Sequence, residues 1–188
     1  MSETTTSPGS PGLRLSTPRG RWVVTATVLG SGMAALDATV VGIALPAIGR
    51  DFHAGIADLQ WVVNAFTLTL AGLLLLGGTL GDSYGRRKMF VVGTVWFAVA
   101  SLLCGVAPNV GVLIAARALQ GVGGALLTPG SLAILQASFA VDDRMAAIGA
   151  WSGLGGVATA IGPFVGGWLI SAVSWRLVFF INLPLAAL

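Results

Sequence analysis

The chain has 188 residues, of which 55% are hydrophobic and only 9% charged, and its mean hydropathy is +0.89. That apolar excess excludes an ordinary soluble domain and makes the chain an integral membrane protein. The formal charge of +3 does not make a nucleic-acid binder, because that needs a clustered, solvated basic face, whereas the basic residues here sit at the ends of apolar runs.

Residues 1–20 are rich in Ser, Thr, Pro and Gly and read as a disordered tail, since they hold too little apolar surface to bury. Arg14, Arg19 and Arg21 then precede an apolar run over 22–47. A signal peptide has an apolar stretch of about 7 to 15 residues; this run is of spanning length, carries Asp37 and is followed by further spans. The next runs cover 59–80, 89–107, 110–139 and 145–173, each long enough to cross a bilayer as a helix. A sixth starts near Arg176 and stops at Leu188, short of the roughly 20 residues a span needs, so the sequence reads as an N-terminal fragment. Continuous rather than alternating apolar runs specify helices, not a barrel.

The short polar turn ending in Arg86, Arg87 and Lys88 orients the bundle. Basic residues near span ends resist translocation. Arg14, Arg19, Arg21, Arg86, Arg87, Lys88 and Arg144 fall on one side, Arg50 and Arg176 on the other, which predicts a cytoplasmic N-terminus in the cell membrane. There is also a faint repeat. Gly77-Gly78-x-Leu80 with Arg87-x-x-Phe90 recurs 89 residues later as Gly166-Gly167-x-Leu169 with Arg176-x-x-Phe179, and three intervening spans would invert the second copy.

Asp37 and Arg117 are the ionisable residues placed deep in spans. Each costs about 2.5 to 3.5 kcal/mol at a helix centre on insertion scales, so both are read first as functional. At about 1.5 Å per residue, Asp37 lies roughly 15 Å and Arg117 roughly 10 Å from the outer ends of their helices, which makes them partners by depth. An aspartate drawn out of water tends to keep its proton and a nearby guanidinium favours the charged form, so relative movement would switch proton affinity. A static ion pair that fixes helix register is the alternative. Gln60, Asn64 and Thr67 share one face of the second helix, either lining a cavity or hydrogen-bonding neighbouring helices. The fifth helix carries Gly149, Gly153, Gly162 and Gly166 at small-xxx-small spacing, with Pro163 as a place to bend. Thr128-Pro129-Gly130 offers the same two readings in the fourth. Cys104 reads as a packing residue and His53 as a solvated loop residue. One Cys and one His support no hydrolase, disulfide or metal chemistry, and no cofactor is called for.

Several of these stretches resemble the major facilitator superfamily, and within it the fourteen-span multidrug/proton antiporter branch. The segment from Leu36-Asp37-Ala38-Thr39 to Ala44-Leu45-Pro46 is similar to that branch's first-helix signature, with Gly42 where Asn is usual. Gly78-x-Leu80-x-Asp82-x-x-Gly85-Arg86-Arg87 resembles the superfamily's inner loop, with Ser83 replacing a basic residue. Arg117-Ala118-Leu119-Gln120-Gly121-x-Gly123 resembles the fourth-helix proton-coupling motif, and Gly162-Pro163-x-x-x-Gly167 the fifth-helix antiporter motif. Trp175-Arg176 and Phe179-Phe180-Ile181-Asn182-Leu183-Pro184 are similar to the start of the sixth span.

The resemblance implies an all-α N-terminal six-helix bundle with its sixth helix truncated. It also implies proton-coupled export of small lipophilic or cationic molecules by alternating access. Asp37, Arg117, Gln60 and Asn64 would line the proton and substrate pathway, Gly78, Asp82, Gly85, Arg86 and Arg87 would form the inner gate, and Gly162, Pro163, Gly166 and Gly167 the antiporter element. The implied partners are substrate, protons, lipid and a C-terminal half. A metabolite facilitator or symporter and a non-transporting truncated membrane protein remain as alternatives.

Overall fold

The computed structural model describes residues 12–187, and the chain over them is helical, with no strand beyond an isolated bridge. Five long helices, α1 (Pro18–Phe52), α2 (Ile56–Tyr84), α3 (Arg86–Gly105), α4 (Val110–Ser138) and α5 (Val141–Ala172), are each long and apolar enough to cross a membrane. Two short ones, α6 (Leu177–Phe180) and α7 (Asn182–Ala187), follow, broken at Ile181 where a single short run was expected over 176–188. Most helices extend past the apolar runs read from sequence, α1 from 22–47 to Pro18–Phe52 and α2 from 59–80 to Ile56–Tyr84. Hydropathy marks the hydrocarbon, whereas backbone hydrogen bonding continues until a cap or break stops it. The Thr17 hydroxyl accepts from Gly20 N at 3.1 Å to start α1, with Pro18 where no N–H is needed. The Asn109 side chain accepts from Val112 N at 2.9 Å to start α4. Between α2 and α3 the chain turns on one residue, Gly85, whose φ of 97° is closed to residues with a Cβ.

Residues 12–20 are not the tail expected of them; residues 1–11 lie outside the described residues. Leu13 N donates to Ser138 O at 2.8 Å, Ala140 N donates back to Leu13 O at 3.1 Å, and Leu15 N donates to Asp143 Oδ2 at 2.9 Å. Leu13 and Leu15 supply the missing apolar drive, packing on a cluster that includes Val24, Leu135 and Phe139. This segment ties the α4–α5 junction to the start of α1.

The bundle is organised around α4. Helices α2 and α3 pack chiefly on α4, α1 on α5 and α4, and α6–α7 on α3 and α1. Missing side chains set these approaches. A Cβ on Gly123 of α4 would stand 2.7 Å from Phe97 N of α3, and one on Gly121 would stand 2.6 Å from Phe66 O of α2. One on Gly77 of α2 would strike the Ala125 carbonyl oxygen of α4, and one on Gly166 of α5 would strike Val40 of α1. Gly77 and Gly166 are the repeat positions 89 apart, and each lets its helix close on another, α2 on α4 and α5 on α1, although the residues they meet, Ala125 and Val40, are not 89 apart. By contrast, a Cβ on Gly149 or Gly153 meets nothing within 4 Å, so of the two small-xxx-small pairs on α5 only Gly162 and Gly166 pack. The outward faces of α2 and α5 are largely apolar, with Leu68, Leu75, Phe164 and Trp168 exposed, though that of α2 also carries Gln60 and Asn64.

Candidate functional site

Five polar side chains from four helices meet in the apolar interior. Asp37 comes from the middle of α1, Arg117 and Gln120 from one face of α4, Ser101 from α3 and Asn182 from the first position of α7. Asp37 is 2% exposed and Arg117 is 1% exposed, while Ser101, Gln120 and Asn182 are fully buried. The spacing of Arg117 and Gln120, three residues apart, puts both on the side of α4 facing α1 and α3.

The pair is hydrogen-bonded on every side. Arg117 Nη1 donates to Asp37 Oδ2 and, at 2.7 Å, to Gln120 Oε1, while Nε donates to the Val62 carbonyl of α2 at 3.1 Å. Its guanidinium lies 4.3 Å from the centre of the Phe66 ring, a cation–π contact made strong by the absence of water. Asp37 Oδ1 accepts from Gln120 Nε2 at 2.9 Å and from Asn182 Nδ2 at 3.3 Å. Both amides also donate to Ser101 Oγ, at 3.0 and 2.8 Å, and Ser101 donates in turn to the Phe179 carbonyl at 3.0 Å. The Cys104 thiol completes the set, at 3.6 Å from Gln120 Oε1. Asp37 thus receives donors from three side chains, Arg117, Gln120 and Asn182. Taking two such charges out of water costs several kcal/mol each, which only this degree of pairing offsets.

Asp37 also borders an apolar cleft of about 260 Å³ between α1, α5 and α6–α7, walled by Leu36, Ile161, Val165, Ile181 and Leu185. One side of the carboxyl faces the donor network and the other reaches toward a space lined by aliphatic groups. Gly162 and Gly166 form the floor of the cleft, where a Cβ on Gly162 would stand 2.8 Å from Leu36 Cδ2. Pro163 is accommodated in the continuous helix and Gly167 faces open space.

Other residues singled out from the sequence lie elsewhere. Gln60 and Asn64 are on the exposed face of α2, away from Asp37 and Arg117, because the inward face of that helix is Val62, Ala65 and Phe66. At the end of the bundle carrying the α2–α3 turn, Arg86 spans Gly85 to pair with Asp82 at 3.0 Å and reaches the Ala133 carbonyl of α4 at 3.4 Å. Gly78 borders the adjoining hollow of about 160 Å³ with Asp82 and Pro129. Arg87 is exposed beside Arg19 in a separate hollow. At the opposite end, beyond the apolar run of α1, Asp51 Oδ2 accepts from Arg176 at 2.7 Å and from Trp175 Nε1 at 3.0 Å. The Arg176 bond first, and then the Trp175 bond, hold the Asp51 carboxyl below the usual carboxylate range. Gln120, Ser101 and Asn182 were not singled out as site residues, although Gln120 stands one turn from Arg117 and the other two are isolated polar residues in apolar runs.

A bundle of spanning helices around a buried, fully bonded ion pair with an adjoining apolar cleft defines a polytopic membrane protein with a charge-bearing interior. Its family follows from comparison with known proteins. The family model described as Major Facilitator Superfamily matches residues 27–188, and the chain belongs to that family. It is 47% identical over 174 residues to the tetracenomycin C resistance and export protein of Streptomyces glaucescens, covering 90% of this chain and 32% of the relative. It is 42% identical over 172 residues to a puromycin resistance protein of Streptomyces alboniger, covering 91% and 34%. The multidrug resistance protein Stp of Mycobacterium tuberculosis is 42% identical over 164 residues, with 87% and 30% covered. The chain therefore spans about a third of the length of these relatives. Among solved structures it resembles an inward-facing bacterial homologue of the human lysosomal transporter Spinster, with a TM-score of 0.71 and 23% identity, over 92% of this chain and 44% of that one. That likeness shows the fold.

Proposed function

We propose that the chain forms the amino-terminal bundle of a proton-coupled exporter of small, lipophilic or cationic drug-like molecules. The observation that carries this reading is the buried Asp37–Arg117 pair held by Gln120 and Asn182 beside an apolar cleft. The names of relatives for antibiotic resistance and export support the substrate class. In the arrangement seen, the donors to Asp37 are in place. Sliding α1 against α4 would take those donors away, and a carboxylate left without them in an apolar site binds a proton. Return of the donors expels the proton, so helix movement and proton exchange become one step. Alternating access needs a second bundle to rock against the first, and the exposed apolar faces of α2 and α5 suit that contact. The N-terminus is cytoplasmic in the plasma membrane, as the basic bias at one end of the bundle favours.

Asp37→Asn in the intact exporter tests the reading. The variant should reach the membrane in normal amount yet lose efflux driven by a pH gradient across vesicles. Undiminished proton-driven export would refute the proposal.

A further inference from the structure

Asn182 has a feature that the ion pair alone does not explain. Its side-chain oxygen, Oδ1, is buried and accepts no hydrogen bond, although the same amide gives its Nδ2 protons to Asp37 Oδ1 and Ser101 Oγ. The orientation is set by the partners. The Ser101 hydroxyl proton is committed to the Phe179 carbonyl, so its lone pairs face the amide and require N–H, as does an ionised Asp37. Turned the other way, Asn182 would aim a carbonyl at a carboxylate. The molecule thus tolerates an orphaned buried acceptor so that Asp37 can keep a donor, and such orphans are costly.

A proton on Asp37 reverses these demands. A protonated Oδ1 is a donor and needs an acceptor, and the unpartnered oxygen of Asn182 is one half-turn of the amide away. We propose that Asn182 is a positioning residue that reads the protonation state of Asp37. In the ionised state its Nδ2 holds the carboxylate. When Asp37 Oδ1 takes up a proton, the amide rotates about its terminal torsion so that Oδ1 accepts that proton's hydrogen bond. Ser101 then swings its hydroxyl proton from the Phe179 carbonyl to the same oxygen. No bond other than hydrogen bonds is exchanged: the Asn182 amide gives up its two Nδ2 bonds and Ser101 its bond to Phe179, the Asn182 oxygen gains two donors, and one proton is gained at Asp37.

The consequence falls on the break in the sixth span. Phe179 lies in the single turn of α6, which ends at Phe180, and Asn182 begins α7 just past Ile181. Releasing the Phe179 carbonyl and turning the Asn182 amide both act at this joint, which borders the apolar cleft through Ile181 and Leu185. Protonation at α1 would thereby be felt as a change in how α6–α7 seats on α3. The groups facing Asp37 leave this role to Asn182. From α4 come Arg117, a donor only, and Gln120, whose Oε1 is already committed to Arg117; from α3 come Ser101 and, through Gln120, the Cys104 thiol. The α5 wall of the cleft is apolar and α2 presents the Val62 carbonyl to Arg117 rather than to Asp37.

This inference rests on the proton-coupled reading above, and one experiment separates the two. Infrared difference spectra between alkaline and acidic pH are recorded on the intact exporter in lipid, with asparagine side-chain carbonyls isotopically labelled. The expected spectrum contains a protonated-carboxyl band that Asp37→Asn removes. With it comes a shift of a labelled asparagine carbonyl band to lower wavenumber, which Asn182→Ser removes. In Asn182→Leu, which offers no acceptor, the carboxyl band should move to higher wavenumber. If the carboxyl band appears but no asparagine band shifts with it in the wild-type protein, the role of Asn182 is overturned and that of Asp37 stands; because that observation needs no variant, misfolding of a mutant cannot obscure it. If no carboxyl band depends on Asp37, the proton-coupled reading fails and this inference with it.

Discussion

Removing one charge of the central pair should be far more damaging than removing both. In Arg117→Met the methionine fills much of the apolar part of the side chain, but three acceptors lose the guanidinium: Asp37 Oδ2, Gln120 Oε1 and the Val62 carbonyl. Val62 lies inside α2 and keeps its helical partner, so that loss is small. Gln120 Oε1 is left with the weak thiol of Cys104, a buried acceptor costing about 1 to 3 kcal/mol. Asp37 becomes an unpaired buried charge, and breaking a buried pair in this way costs about 3 to 5 kcal/mol in all. Adding Asp37→Asn removes the charge and supplies an amide that can donate to Gln120 Oε1 while still accepting from Gln120 Nε2 or Asn182. The double variant should therefore recover about 2 kcal/mol or more of what Arg117→Met lost, a coupling of the size that buried, directly bonded pairs show. Reversible unfolding in detergent, followed by tryptophan fluorescence, measures it. If the two losses simply add, the pair is not an energetic unit, and the account of the site is wrong at its base.

Two further outcomes follow from contacts away from the pair. Gly166→Leu should lower thermal stability by about 1 to 3 kcal/mol, because its side chain must displace Val40 and lever α5 off α1; Gly153→Ala, with open space around it, should be neutral or stabilising by up to about 1 kcal/mol through helix propensity. At the Asp51 end the sign is that of a carboxyl whose folded value is depressed: its contribution is present above the ordinary carboxylate value and is lost as pH falls through the lowered folded value. Between about pH 6 and about pH 3 the melting temperature of the wild-type protein should fall more than that of Asp51→Asn, and equal slopes would show that the tie to Arg176 and Trp175 carries no stability.

The long helices and the family were legible because hydropathy runs and four motifs in order survive without knowledge of packing. Residues 12–20 depart from the expected tail for a specific reason. Leu13 and Leu15 look like stray apolar residues in a polar tail until the α4–α5 junction is folded beside them, and a two-residue apolar contact across more than a hundred positions leaves no local signature. The glycines of α5 show the same limit. Gly149, Gly153, Gly162 and Gly166 read alike in sequence, but only the latter two face a helix, since spacing identifies a face and not what lies against it.

The composition of the buried network could have been narrowed further by asking which polar residues their own helix can satisfy. Thr27, Ser31, Thr39, Thr67, Thr79, Thr94, Ser131 and Thr159 all return their hydroxyl to a carbonyl one turn back, so a Ser or Thr in a span needs no partner. Asp, Arg, Asn and Gln carry more polar atoms than one turn of backbone can absorb, and in an apolar bundle each must face either another such residue or the outside. That rule selects Asp37, Gln60, Asn64, Arg117, Gln120, Gln136 and Asn182 from the runs. It cannot divide them into the four that converge and the three that are exposed, Gln60 and Asn64 on α2 and Gln136 on α4, because the division depends on how each helix is turned, as when α2 directs Val62 and Phe66 toward α4. Ser101 escapes the rule altogether: its hydroxyl bonds Phe179 on another helix only because Gln120 and Asn182 occupy its lone pairs, a choice made by tertiary structure alone.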